Sequence, residues 1–476
     1  MSQILINIYA GREANSFLGW QMICGKKSLV QQNSRLGRIV LTFVLAVLVS
    51  FVSTAVAHDD EGGTGINGSS GAGSGGSAGF ARSRVELLSH LELDEIGNLG
   101  ASNVIGNDIW GWTDAASGRE FALFGLTNGT SFIEVTDPTA PTYLGTLRTT
   151  EGTGNRAWRD IKVYNEQAYI VSDLNGAHGV QVFDLNQLLT ASESSATDPH
   201  YFSAVGVYDG VTTAHNIAIN EESGFAYVVG SNTASGGLHV LDLNGGTAGS
   251  IPTFAGSFSG DGYTHDTQVV NYVGPDGDYA GREVAFNSNE DTLTIVDVTD
   301  KSNITQISRN GYEGSEYAHQ GWLSEDQRFF FMNDELDERN SDTLIQTRTI
   351  VWNVEDLDNP TFLGFYEGTE TTIDHNLYVK DDFIFQANYT SGLRVLKVND
   401  AATLDIEEWG FFDTYAADND VSFNGAWSVF PYFDSDTVIV SDRQGGLFVV
   451  QVVPEPSSLT FLGLIGLFVA GRRRRS

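Results

Sequence analysis

The chain has 476 residues, with 53 Gly, 9 Pro, one Cys and 41 % hydrophobic residues, which makes it too long for one small domain, too apolar for an unfolded chain and too poor in cysteine for a disulfide-stapled module. Its 26 Lys and Arg oppose 61 Asp and Glu, for a formal charge of −35, and the excess sits in the centre, where residues 58–453 hold 17 basic and 59 acidic residues. Such a body repels phosphate backbones, which excludes nucleic acid as a partner and leaves cations and neutral ligands open.

From the amino terminus, Arg35 and Arg38 precede the apolar stretch Ile39–Val52, and Ala55-Val56-Ala57 follows. This order of charge, apolar run and small residues predicts a signal peptide over 1–57 with a long charged region, Met22 being an alternative start. A stretch of 14 residues falls short of the roughly 20 that a membrane-spanning helix needs. Cleavage after Ala57 removes Cys24, so the mature protein has no thiol. Residues 58–80 are dominated by Gly and Ser and predict a flexible linker.

Residues 81–453 carry a repeat. Apolar strands recur at Ser131–Val135, Val180–Asp184, Leu238–Asp242, Leu293–Asp297, Thr349–Asn353, Leu393–Lys397 and Leu447–Gln451, with final residues 49, 58, 55, 56, 44 and 54 apart. A second series opens each unit with a residue pair: Asn107-Asp108, Arg159-Asp160, His215-Asn216, His265-Asp266, His319-Gln320, His375-Asn376 and Ala426-Trp427. Seven four-stranded units bury both faces only by stacking around an axis, so the expected fold is all-β, a seven-bladed β-propeller. No outer strand follows Gln451, whereas Val85–Leu93 looks like one and precedes the first unit. It is expected to complete the last blade and close the ring.

Four of the nine histidines, His215, His265, His319 and His375, share one position in consecutive units. In a propeller they point at one channel mouth, where a divalent metal of unspecified identity would find several imidazole donors. Asp108, Arg159, Asp160, Asp266 and Asp374 belong to the same stratum, and Asp173, Asp334, Glu335 and Asp442 lie on loops expected to reach it. The alternative is a polar channel in which these groups bond only to each other and to water. The acidic runs Asp334–Glu338 and Asp276–Asp278 offer oxygen ligands for Ca²⁺, but neither has EF-hand spacing, and exposed acidic loops are expected. Trp110, Trp112, Trp158, Trp322 and Trp427 are expected near the openings of units, as wedges between blades or as stacking surfaces for sugars. No sequence motif nominates a nucleophile.

At the carboxyl end, Pro454-Glu455-Pro456 is followed by the apolar run Leu459–Ala470 and by Arg472 to Arg475. Residues 454–476 resemble the PEP-CTERM sorting signal of Gram-negative bacteria. The resemblance implies a C-terminal sorting helix transiently inserted in the inner membrane, removal by an exosortase, and release to the cell surface or its exopolysaccharide. The body is similar to the choice-of-anchor B family of LVIVD-repeat surface propellers through stretches such as Asp108–Thr113, Trp158–Val163, Ala214–Ile217, Asn287–Asp297 and Asp374–Val379. That resemblance implies fold and location but no activity. Two functions stay open: a surface module binding a ligand, an exopolysaccharide or a surface protein, and a metal-dependent hydrolase of lactonase type.

Overall fold

The computed structural model describes residues 79–97, 104–244, 250–341, 343 and 345–453. The expected signal peptide 1–57, nearly all of the linker and the sorting tail 454–476 lie outside the described residues.

The repeated strands of the sequence are the third strands of seven antiparallel sheets, observed at Gly129–Glu134, Val180–Asp184, Leu238–Asp242, Leu293–Asp297, Arg348–Asn353, Leu393–Asp400 and Gly446–Val452. Side chains alternate across a strand, so a run of adjacent apolar residues supplies both faces of its sheet. Phe132 packs toward the second sheet and Ile133 toward the seventh. Val240 and Leu241 divide between the fourth and second sheets in the same way, as do Phe448 and Val449 between the sixth and first. Seven apolar clusters result, each shared by two consecutive sheets, and the one joining Phe430, Ile439 and Val449 to Ile109 and Phe124 links the seventh sheet to the first. The architecture is a seven-bladed β-propeller.

The innermost strands are Gly106–Asp114, Arg159–Tyr164, Asn216–Asn220, Asp266–Asn271, Ala318–Leu323, Leu377–Lys380 and Ala426–Phe430. Each lies against the innermost strand of the next sheet, and the seventh against the first. The fourth strand of the seventh sheet is Val85–Leu91, which pairs antiparallel with Gly446–Val452, Val85 opposite Val452 and Leu91 opposite Leu447. Two short additions have no counterpart in the repeat: Arg82–Ser83 extends the sixth sheet, and Tyr201–Phe202 pairs in parallel with Thr142–Arg148 of the first. Among the described residues no helix is long and apolar enough to cross a membrane.

Gly446 begins the third strand of the seventh sheet at φ +94°, and a Cβ there would lie 2.3 Å from the Leu91 carbonyl oxygen. Both the left-handed backbone and the contact oppose a side chain. Gly446→Ala is expected to cost about 1–3 kcal/mol, read as a lower denaturant midpoint. An unchanged midpoint would contradict this seating of Val85–Leu91.

Candidate functional site: the two ends of the axial channel

The paired residues that open each unit have a structural task before any chemical one. In three units the second member accepts a hydrogen bond from the backbone of the next sheet: Ile161 N to Asp108 Oδ2 at 3.2 Å, Ile217 N to Asp160 Oδ2 at 2.7 Å, and Leu377 N to Gln320 Oε1 at 2.9 Å. These side chains stitch adjacent innermost strands whose edges would otherwise carry unpaired amides. The first member supplies the histidines. Their rings form a row across four sheets, with centroids 4.2 Å apart from His215 to His265, 4.1 Å from His265 to His319 and 4.4 Å from His319 to His375. All four are buried.

Nδ1 of His265 donates to the His319 carbonyl at 3.0 Å, and Nδ1 of His375 to the Trp427 carbonyl at 2.5 Å. A proton fixed on Nδ1 leaves Nε2 as the nitrogen with a lone pair, the arrangement of a metal-binding imidazole. Glu335, from the loop after the second strand of the fifth sheet, puts Oε2 3.7 Å from His319 Nε2 and Oε1 3.6 Å from His375 Nε2. These separations exceed a hydrogen bond. They match two ligands of one tetrahedral ion, which at about 2.1 Å from the metal stand roughly 3.4 Å apart. His319, Glu335 and His375 thus bring three ligand atoms within 4.8 Å of one another, all on buried residues. The Tyr389 hydroxyl donates to Glu335 Oε1 at 2.6 Å, and His215 Nδ1 meets Asp173 Oδ2 at 3.1 Å at the other end of the row.

Further along the innermost strands lies a charged layer. Lys162 Nζ donates to Asp160 Oδ1 at 2.6 Å, stands 3.8 Å from Asp108 Oδ2 and rests over the Trp110 ring at 4.4 Å. Burial alone would raise the Asp160 carboxyl, but Lys162 and the hydrogen bonds it receives hold it below its usual range. Burial and the Asp160 charge lift Asp108 well above it. This layer floors a cavity of about 390 Å³ lined by residues from the innermost region of all seven sheets, among them Trp110, Lys162, Ile219, Asp266, Trp322, Tyr378 and Tyr432. Seven strands that line one cavity share one axis.

Other expected site residues lie elsewhere. Arg159 is not at the mouth: it is 2 % exposed, donates to the Leu126 carbonyl at 3.1 Å and touches His178 at 3.1 Å, so it braces the first sheet against the second. Asp334 accepts from the Tyr312 hydroxyl and from the amides of Glu316 and Tyr317, tying down the segment before the fifth innermost strand, and Asp442 accepts from the amides of Gln444 and Gly445, closing a turn. Asp374 is buried and is not part of the His319–Glu335–His375 group; burial and the charges of Asp337 and Asp334 raise its carboxyl. The acidic run expected to be an exposed loop is buried from Asp334 to Glu338 apart from partly exposed Leu336, because the loop folds inward to deliver Glu335. The tryptophans divide between the ends: Trp110, Trp112 and Trp322 line the cavity, while Trp158 and Trp427 stand beside His215 and His375.

The electrostatics give the metal-free protein a pH dependence. Burial lifts the Glu335 carboxyl to about 7, against the Tyr389 hydrogen bond and the charge of His215, and burial with the Asp160 charge lifts Asp266 to about 7. A carboxyl raised in the fold holds its proton more tightly folded than unfolded. Its contribution is therefore full below the unfolded value and is lost as pH rises through the folded one. His215 is opposed by burial but raised overall by Asp173, and has the same sign; Asp173, held below its usual range despite burial, has the opposite one. With chelator present, urea unfolding should show stability falling between about pH 5 and pH 8, by at most about 3 kcal/mol per raised carboxyl. Stability rising across that window would contradict the burial of these groups.

Residues 452–475 match the PEP-CTERM protein-sorting motif, which marks an exported protein whose C-terminal tail anchors it in the membrane for exosortase-type processing. No curated protein matches the chain. The structure is similar to that of a functionally unknown protein from Desulfotomaculum acetoxidans, with 13 % identity, a TM-score of 0.42, and 62 % of this chain and 82 % of that one covered. A Lactobacillus plantarum protein gives 15 %, 0.46, 75 % and 98 % in the same order. The Cps50 (Swd1) β-propeller domain of Myceliophteria thermophila gives 9 %, 0.42, 70 % and 94 %. The chain is an exported seven-bladed β-propeller with a PEP-CTERM sorting motif.

Proposed function

We propose that this protein is a cell-surface or matrix-associated propeller that acts as a ligand- or partner-binding module, with a divalent metal held at the channel mouth by His319, His375 and Glu335. In this reading 1–57 is a signal peptide, 58–80 a tether, 81–453 an LVIVD-repeat propeller of the choice-of-anchor B kind, and 454–476 the tail removed during export in a Gram-negative cell. Val85–Leu91 closes the ring. The observation that carries the metal is the 3.6 and 3.7 Å spacing of two imidazole nitrogens from one carboxylate. The donor set of two nitrogens and a carboxylate suits Zn²⁺. The aromatic cavity at the other end offers a recess of small-ligand size, about 390 Å³.

Calorimetric titration of the chelator-treated protein with Zn²⁺ tests the site. One equivalent should bind, and the double variant His319→Ala, His375→Ala should lose it. A wild type that binds no zinc would overturn the metal.

A second reading is favoured by the His215–Asp173 pair at the end of the same row. A carboxylate-oriented imidazole beside a metal site is the equipment of a hydrolase that activates water. Lactone hydrolysis that is present in the zinc-loaded wild type and lost in the double variant would favour the enzyme; its absence would favour binding.

A further inference from the structure

The cavity of about 390 Å³ at the far end of the channel has the size of a small-molecule site, and its walls combine two kinds of surface. One is aromatic. Trp110 of the first innermost strand and Trp322 of the fifth both stand edge-to-face with Tyr378, with centroids 5.8 and 5.0 Å away, and both lie near Tyr432, at 6.5 and 6.4 Å. The Tyr432 hydroxyl donates to the Val379 carbonyl at 3.0 Å. Rings braced in this way lose little freedom when a ligand lies against them.

The other surface is polar and has hydrogen-bonding capacity to spare. Gln268 is only 9 % exposed, and its Oε1 accepts from the Leu323 amide at 2.7 Å, but its Nε2 donates to no group among the described residues. Asp266 Oδ1 accepts from the Thr267 amide at 2.6 Å, and Oδ2 accepts from none of the described residues. The indole N–H groups of Trp110 and Trp322 likewise have no acceptor among them. Three donors and an acceptor from three sheets therefore belong to residues that line one recess.

Charge decides what the recess takes. Lys162 already lies over the Trp110 ring at 4.4 Å and is answered by Asp160 at 2.6 Å, so one cation is in place against the aromatic wall and it is not free to pair with an anion. Burial and the Asp160 charge raise Asp108 well above its usual range and Asp266 to about 7, which keeps the floor close to neutral. The formal charge of −35 further repels anions. An uncharged ligand remains, with an apolar face for the rings and hydroxyls for the polar groups. A pyranose has both: its C–H bonds form a weakly positive face that suits the negative face of an indole, and its hydroxyls donate and accept around the rim.

We propose that this cavity binds an uncharged pyranose unit, stacked on Trp322 with its hydroxyls bonded to Gln268 and Asp266. The proposal rests on the reading of the protein as a ligand-binding module and names the ligand class; it does not require a metal at the histidines.

Titration of the full-length protein in the presence of chelator, read by saturation-transfer NMR and tryptophan fluorescence, tests it. Methyl glucoside, methyl galactoside and N-acetylglucosamine are the uncharged probes, glucuronate the anionic one and tetramethylammonium the cationic one. At least one uncharged sugar should bind saturably and more tightly than glucuronate. Trp322→Ala should weaken that binding by about tenfold or more, and Trp322→Phe, which keeps a ring against Tyr378, is the independent variant should the first fail to fold. Binding of the uncharged sugar that is unchanged in both variants would overturn the proposal. Binding of glucuronate or tetramethylammonium alone would overturn the sugar and leave the binding-module reading standing. No response to any probe at millimolar concentration would overturn the proposal and remove this cavity from that reading.

Discussion

Deletion of residues 80–95 is expected to replace the propeller's single cooperative unfolding transition with a broad one at lower temperature. The segment touches three sheets at once. Arg82–Ser83 pairs with the sixth, Val85–Leu91 with the seventh, and Ser89 Oγ donates to the Pro138 carbonyl of the first sheet's last loop at 2.6 Å. His90 stacks on Phe448 at 4.1 Å, with Nε2 2.7 Å from the Gly445 carbonyl, and Leu88, Leu91 and Leu93 pack on the cluster between the seventh and first sheets. In an array of repeats, stability is close to a sum over neighbouring interfaces. A closed ring has one interface more than an open array, and no frayed end. Without the segment, Gly446–Val452 becomes an exposed apolar edge, and aggregation on heating should accompany the loss. Scanning calorimetry of the deletion variant decides it; a transition as sharp and as high as the wild type's would show that ring closure does not depend on this strand.

Asp160→Ala should be the most damaging single substitution in the channel, costing about 3–5 kcal/mol. Asp160 neutralises Lys162, stitches the second sheet to the third through Ile217, and lies in a layer where burial and the Asp160 charge raise the Asp108 carboxyl well above its usual range. Its removal leaves a buried ammonium whose remaining close contacts are the Ile161 carbonyl, Asp108 and the Trp110 face. Much of the cost is therefore the stranded charge and not the lost hydrogen bond. Combining Asp160→Asn with Lys162→Met removes both charges and keeps an acceptor for Ile217, and should recover most of the stability. Equal losses in Asp160→Ala and the double variant would assign the effect to packing.

The fold could be read from the chain because its strongest constraint is local. A sheet buried on both faces needs adjacent apolar residues, and pairs such as Phe132-Ile133 and Val240-Leu241 recur at a regular pitch. The histidine row followed for the same reason, since equal position in successive units becomes equal height on the axis. What the pitch does not encode is direction and depth. Arg159 occupies the same unit position as the histidines but turns between sheets to His178 and Leu126. Asp374 is next to His375 but is not part of the His319–Glu335–His375 group. The burial of Asp337 and Glu338 depends on a loop folding inward, and a run of acidic residues reads as solvent-exposed until that fold is known. Trp322, three residues after His319, lines the cavity further along the channel, because each residue along a strand moves about 3.3 Å. Tyr201–Phe202 pairs in parallel across a long excursion whose sequence has no repeat partner, and so carried no signal.

Diffraction data collected on either side of the zinc absorption edge, from crystals of the zinc-loaded protein, test the convergence of the imidazoles most directly. An anomalous peak should lie between Nε2 of His319, Nε2 of His375 and the carboxylate of Glu335. Zinc found only on outer carboxylates, with those three side chains apart, would contradict it.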